Sequence, residues 1–253
     1  YWNHTPMLLV TPQAANKTMG QGGFQEVEQM NLFKDMVCYQ EEVRDPSRVA
    51  EVLNRVISKA IKGSAPAQLN IPRDFWTQVV DIELPPIIKF ERPSGGSEAI
   101  KNAANLLSNA KFPVILSGAG VILADAIEDC KNIAEKLSAP VACGYQHNDS
   151  FPGKHPLAVG PLGYNGSKAA MEIISKADVV LALGTRLNPF STLPGYGIDY
   201  WPKNAEVIQV DINSDRIGLT KQISVGICGD AKLVSKQILE HLSSDAGNEN
   251  RKE

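Results

Sequence analysis

The stretch Asp45–Ile71, DPSRVAEVLNRVISKAIKGSAPAQLNI, decides the fold class. Asp45 is placed to cap a helix, Pro46 suits its first position, and Gly63 lies just past its end. Between them Val49, Val52, Leu53, Val56, Ile57, Ala60 and Ile61 recur at helical spacing. Such a one-sided apolar stripe must bury against a sheet. A strand, Ala67–Ile71, follows at once. Upstream, Val37–Gln40 reads as a strand, Val27–Met36 as a short helix and Gln13–Gln25 as a polar, Gly-rich loop. Before that loop, the all-apolar Met7–Val10 reads as a strand buried on both faces. Strand, helix and strand in this rhythm make a parallel sheet, so the class is α/β.

Downstream, the pattern breaks from Trp76 to Ser97, where Pro85, Pro86, Pro93, Gly95 and Gly96 punctuate a stretch without helical period. It reads as an interdomain linker, 76–97. A second α/β series then begins. Ser97 caps a helix to about Asn109, Pro113–Ser117 is a strand, Asp125–Leu137 a helix and Val141–Cys143 a short strand. Lys168–Lys176 is a helix, Val179–Leu183, Val207–Val210 and Ser224–Cys228 are strands, and Asp230 caps a last helix to about Leu242. The polar tail 243–253 is expected to fray or serve as a linker. The organisation is two parallel-sheet three-layer units. The second, 98–242, alternates throughout and looks complete, whereas the first, 1–75, looks like half a domain, as though the chain opened in the middle of a sheet.

Composition narrows the function classes. The chain of 253 residues is 43% apolar and 21% charged, with a formal net charge of -3, as soluble globular proteins are. No basic excess or stripe points to nucleic acid. The longest apolar runs, MLLV (7–10) and ADVVLALG (177–184), fall far short of the ~20 residues a membrane-spanning helix needs. Cys38, Cys130, Cys143 and Cys228 form no C-x-x-C pair, so no zinc cluster is expected, and lone thiols suit a reducing, cytoplasmic compartment. His4, His147, His155 and His241 show no metal-ligand spacing, and no metal site is expected.

Candidate site residues lie at strand ends. Gly118-Ala119-Gly120 follows the strand PVILS and precedes a helix. Glycines there let backbone amides approach a phosphate, although they equally make a plain tight turn. Leu123 occupies the place of the third glycine of the dinucleotide fingerprint. Arg186, in LGTR, and Asp211, in VDIN, lie at two further strand ends and suit a phosphate and a ribose hydroxyl respectively. A surface Arg–Asp pair with a helix cap is the plainer alternative. Phe24-Gln25-Glu26, with Lys34 beyond, sits on a strand-end loop where it could orient an anion; a capped helix with a solvated lysine is the alternative. No G-x-S-x-G, H-E-x-x-H or G-x-x-x-x-G-K-[ST] occurs. From these residues alone, a non-catalytic FAD- or nucleotide-binding module stays open.

The order of segments PMLLVTPQ, GGFQEVEQMNLFK, QLNIPRDFW and AKFPVILSGAG resembles the thiamine-diphosphate enzymes of the acetolactate synthase type. FPGKHPLAVGPLGYNG, KADVVLALGTRL, VIQVDIN and GICGDA fit the central domain of the same superfamily, in order. The resemblance runs from Tyr1 to about Leu242. Within it, TPQAANKTMGQGGFQEVEQM, CYQEEVRDPSRV, GYQHNDSFPG and NPFSTLPGYGIDYWP are similar to the branch that acts on sulfoacetaldehyde rather than to acetolactate synthase itself.

That resemblance implies that 1–75 is the C-terminal half of a pyrimidine-binding domain and 98–242 a Rossmann-like central domain. It implies an acyltransferase converting sulfoacetaldehyde and phosphate to acetyl phosphate and sulfite, with thiamine diphosphate and Mg2+ in the full-length enzyme. An acetolactate synthase-like activity is the alternative within the superfamily. Phe24, Gln25 and Lys34 would line or back the cofactor–substrate cleft, whereas Gly118, Gly120, Arg186 and Asp211 would be a vestigial nucleotide site in which FAD is not expected. A homodimer or homotetramer is implied. The sequence departs from the family pattern in lacking the catalytic Glu, expected upstream of Tyr1, and the G-D-G…N metal motif, for which Gly229-Asp230-Ala231 is no substitute. The chain is therefore expected to be an internal segment, inactive alone, with no catalytic residue of its own assigned.

Overall fold

In a computed structural model, residues 1–86 and 89–247 are described. Positions 87 and 88 of the expected linker and 248–253 of the expected frayed tail lie outside them. The chain divides into two compact units, Tyr1–Lys89 and Phe90–Glu253.

The first unit holds three strands, β1 (Met7–Gln13), β2 (Tyr39–Glu42) and β3 (Pro66–Pro72), in the order β1-β3-β2 with every pairing parallel. Helix α1 (Gln29–Phe33) is shorter than the pattern suggests. Helix α2 (Val49–Gly63) crosses from β2 to β3, and its Val52, Val56 and Ala60 pack on Val43, Ala67, Leu69 and Ile71. Asp45 accepts the Ser47 amide at 2.9 Å and so starts a 3-10 turn, Pro46–Arg48, that leads into α2. Gly63 is the last residue of the helix rather than the first beyond it. Ser64 takes the left-handed cap, and a β-carbon on Gly63 would stand 3.0 Å from Cys38 Sγ.

β1 corrects an expectation. It is an edge strand, so Met7, Leu8 and Val10 are exposed, and among its residues only Thr11 and Gln13 are buried. Register places Leu8 beside Ala67 and Val10 beside Leu69, on the face that α2 covers over the centre of the sheet. The opposite face is polar. Gln68 and Asn70 are fully buried there, and Thr11 nearly so.

The second unit holds a six-stranded, all-parallel sheet. Its strands are β4 (Pro113–Ser117), β5 (Val141–Cys143), β6 (Ala158–Pro161), β7 (Val179–Leu183), β8 (Glu206–Asp211) and β9 (Val225–Cys228), in the order β6-β5-β4-β7-β8-β9. That is the doubly-wound order with its switch point between β4 and β7, where ligand crevices form in such sheets. Strand residues alternate between two cores. Ile115, Leu181 and Leu183 join helices α3 (Ser97–Asn109), α5 (Ile127–Leu137) and α7 (Ala231–His241) on one face. Val114, Leu116, Val180 and Ala182 meet α6 (Lys168–Ile174) and Tyr200 on the other.

Several boundaries differ from expectation for visible reasons. Ser97 is the first residue of α3 and caps nothing; Gly96 holds the cap position. The helix expected from Asp125 is α5 and begins at Ile127, because Asp125 takes a left-handed φ of 53° that separates it from the short α4 (Ala119–Leu123). β6 was not expected. Residues 90–96 are tied down: Ser94 pairs with Gly229, Arg92 donates to Asp230 at 2.7 Å, and Asp230 caps α7 through the amides of Lys232 and Leu233. The first residues of the expected frayed tail are packed, with Ala246 buried in the core and the Lys136 ammonium donating to Ser244 O at 2.8 Å.

Candidate functional site

Each unit presents a polar, loop-built region at the carboxyl ends of its strands. In the first, the loop between β1 and α1 is pinned at its base. Gln13 donates to Val27 O at 3.4 Å and accepts the Ala14 amide at 2.8 Å, the Asn16 amide donates to Asp74 at 3.0 Å, and Gln29 donates to Pro12 O. At the tip, Phe24 is 84% exposed and Gln25 adopts a left-handed φ of 63°. Lys34 is exposed at the far end of α1, one short helix beyond them. The structure thus sets Phe24 and Gln25 together at one tip and Lys34 on the segment that follows.

Behind this loop runs a polar chain across the sheet. The Thr11 hydroxyl donates to Asn70 Oδ1 at 2.9 Å and accepts from Gln68 Nε2 at 2.9 Å. Gln40 Nε2 donates to Gln68 Oε1 at 2.6 Å and to Met30 O, and Asn70 Nδ2 donates to Glu42 Oε2 at 2.7 Å. Sequence reading missed this chain; the alternation of Gln68 and Asn70 with Ala67, Leu69 and Ile71 is its signal. Beside it an open cleft of about 670 Å³ is lined by Gln13, Glu28, Tyr39, Gln40, Arg44 and Arg48 among others. Glu41 at its edge is held below the usual carboxylate range, first by the Arg55 guanidinium at 2.7 Å.

In the second unit, the backbone amides of Gly118 and Gly120 are engaged by the neighbouring strand-end turn. The Gly118 amide donates to Leu183 O at 3.1 Å and the Gly120 amide to Gly184 O at 2.8 Å. A β-carbon on Gly118 would stand 2.6 Å from Gly184 O, and one on Gly120 would stand 2.6 Å from Gly184 Cα. The glycines let two strand-end turns touch backbone to backbone at the switch point, and α4 is a five-residue helix. Asp211 is buried, accepts the Asn213 amide at 2.9 Å and lies 3.9 Å from Arg216 Nη1. Burial pushes its carboxyl above the ordinary value, against the pull of Arg216 and Arg186. Its carboxylate thus fixes the bend that leads to Asn213, whose own side chain caps the 3-10 turn Ser214–Arg216. Arg186 is half-buried and stands near enough to His147 to oppose its protonation, adding to the larger effect of burial, which lowers the imidazole pKa.

The aromatic corner of this edge was not legible. Tyr164 stacks on Phe190 at 4.9 Å between ring centroids, and Tyr145 meets both rings edge-on. Tyr164 and Phe190 remain nearly half exposed. They come from three loops, after β5, β6 and β7. Among the described residues, no group of three or more His, Cys, Asp or Glu could hold a metal ion, and no helix is long and apolar enough to cross a membrane.

Comparison with known proteins places these features. Residues 100–241 match the family model of the thiamine pyrophosphate enzyme central domain. Over all 253 residues the chain is 74% identical to a protein of Rhizobium meliloti (strain 1021) named probable sulfoacetaldehyde acetyltransferase, covering 43% of it. It is 75% identical over the same length to the sulfoacetaldehyde acetyltransferase of Roseovarius nubinhibens, covering 42% of that protein. A probable acetolactate synthase large subunit of Methanocaldococcus jannaschii is 32% identical over 250 residues, of which the chain covers 42%. The chain thus spans about two fifths of the length of these curated relatives. Among solved structures, benzoylformate decarboxylase from Polynucleobacter necessarius superposes with a TM-score of 0.86 at 22% identity, over 99% of this chain and 47% of that one. At that identity the likeness concerns the fold alone.

Proposed function

The chain belongs to the thiamine pyrophosphate enzymes, its residues 100–241 forming their central domain, and from that membership we propose that the protein carrying it is an acyltransferase that converts sulfoacetaldehyde and phosphate to acetyl phosphate and sulfite. The observation that carries this reading is identity of 74–75% over the whole chain with two relatives named for that acetyl transfer. The acetolactate synthase relative is far less similar, at 32%. In this reading the first unit is the second half of a pyrimidine-binding domain, the cofactor is thiamine diphosphate with Mg2+, the assembly is a homodimer or homotetramer, and the compartment is cytoplasmic.

The described residues do not fit the metal-and-diphosphate end of that cofactor. None of their acidic, His or Cys side chains gather as a metal site, and the amides of Gly118 and Gly120 are engaged by Leu183 and Gly184. No step is therefore assigned to a metal in this chain. What these residues contribute is placement. Phe24 and Gln25 present an aromatic face and an amide at a strand-end loop, and in this reading the exposed Lys34 offers a cation to a sulfonate or phosphate. In this reading the central domain acts as scaffold and FAD is not required.

The test uses the complete coding sequence. Purified protein with thiamine diphosphate, magnesium and sulfoacetaldehyde should release sulfite only when phosphate is present, and should form acetyl phosphate in equal amount. Condensation of pyruvate without sulfite release would move the assignment to acetolactate synthase. A thermal shift with FAD and no turnover of either substrate would support a nucleotide-binding module.

A further inference from the structure

The tip of the loop that carries Phe24 and Gln25 is tied by the side chain of Glu26. Residues 20–25, GQGGFQ, are all exposed, and a loop of that composition has little intrinsic order. Gly20, Gly22 and Gln25 all take positive φ, at 82°, 68° and 63°. Glu26 alone among these neighbours is half-buried, because its carboxylate turns back into the loop. Its Oε1 accepts the Gly20 amide at 2.6 Å and its Oε2 the Gly23 amide at 3.1 Å, while its own amide donates to Gly23 O at 3.1 Å. Two charge-assisted bonds from one carboxylate to two amides close the loop upon itself.

We infer that Glu26 is the positioning residue of the substrate-facing loop: a carboxylate clasp that fixes where Phe24 and Gln25 stand, without touching substrate itself. The inference rests on the proposed placement of Phe24 and Gln25 at the cofactor–substrate cleft. Both carboxylate oxygens are needed. A Gln side chain keeps the length but offers one oxygen, and its NH2 would confront an amide N–H that also donates. An Asp side chain keeps both oxygens but is one methylene short. The ties through Gln13, Asn16 and Gln29 hold the base of the loop, and the Gln21 amide donates to Thr18 O at 3.2 Å ahead of residues 22–25.

The experiment compares E26Q and E26D with the wild-type complete protein by hydrogen exchange of the peptide covering 14–28, thermal midpoint and steady-state kinetics. Exchange at Gly20 and Gly23 should rise about tenfold or more in E26Q and by less in E26D, with exchange elsewhere and the midpoint held. The KM for sulfoacetaldehyde should rise in the same order, about tenfold in E26Q, with kcat changed much less. Unchanged loop exchange in both variants overturns the clasp. Faster loop exchange with unchanged KM overturns its role in positioning, and so does a general rise in exchange with a fall in midpoint in both variants. Should wild-type protein release no sulfite, the functional reading fails, whereas the exchange order still decides whether Glu26 holds the loop.

Discussion

Gly120 and Gly184 meet backbone against backbone: the Gly120 amide donates to the Gly184 carbonyl at 2.8 Å, and a β-carbon built on Gly184 would lie 2.7 Å from Gly120 Cα. This contact joins the turns after the two strands that flank the switch point of the six-stranded sheet.

Replacing Gly184 by Ala therefore strains a φ of +61° and forces two turns apart at once. The expected loss is about 2–4 kcal/mol, seen as a clear fall in the thermal midpoint of the complete protein. Gly22→Ala is the control, because its φ is +68° but nothing lies within 4 Å of the added carbon. That variant should lose only about 1 kcal/mol locally. Equal effects of the two would mean that backbone conformation, not close approach, is what Gly184 provides.

Asp211 gives a pH dependence with a definite sign. Burial raises its folded pKa above the ordinary 3.8, so the folded protein binds this proton more readily than the unfolded chain. The group's stabilising contribution is complete below the ordinary carboxyl value and is lost as pH rises through the raised one. At neutral pH the ionised, buried carboxylate is a cost. Asp211→Asn keeps an oxygen for the Asn213 amide and should raise the thermal midpoint at pH 7. The difference from wild type should shrink on acidification and vanish below the ordinary carboxyl range. A lower midpoint for the variant at neutral pH would mean that Arg216 and Arg186 outweigh burial.

The polar chain of the first unit predicts a large effect from a single amide. Asn70 is fully buried, accepts from the Thr11 hydroxyl and donates to Glu42. Asn70→Ala leaves both partners short of a bond, and the expected destabilisation is about 2–3 kcal/mol by urea denaturation. Thr11→Val removes one hydroxyl and frees Gln68 Nε2 and Asn70 Oδ1, so its effect should not add to that of Asn70→Ala. Strict additivity would show that the bonds act singly and not as a chain.

What the sequence revealed follows the range of the forces involved. β4, β5 and β7 were legible to the residue, because Pro113–Ser117, Val141–Cys143 and Val179–Leu183 are, apart from Ser117, apolar runs. β6 was not, because Gly160 and Pro161 leave Ala158–Pro161 no period. The break at Asp125 depends on one left-handed residue, which apolar spacing does not encode. The exposure of Met7, Leu8 and Val10 follows from strand order, a tertiary property that an apolar run alone does not fix. The candidate site divides the same way. Phe24, Gln25 and the glycine turn at Gly118 were visible as local signals, whereas the partner of that turn, Gly184, and the meeting of Tyr145, Tyr164 and Phe190 arise from folding between distant segments.

Phe24 separates function from stability most cleanly. A phenyl ring 84% exposed contributes little to the core, so its truncation tests recognition with little cost in packing. Phe24→Ala should leave the thermal midpoint of the complete protein within about 1 °C of wild type, since surface truncations rarely shift stability by more than ~0.5 kcal/mol. If the ring faces the cofactor–substrate cleft, kcat/KM for sulfite release should fall by about 10–100-fold. Lys34→Ala should act differently. Under the proposed function this exposed cation draws in a sulfonate or phosphate through charge, so its loss should raise KM, and added salt should narrow the gap between variant and wild type. A Phe24→Ala protein with full activity would place the cleft elsewhere on the first unit, with the region lined by Arg44 and Arg48 as the next to mutate.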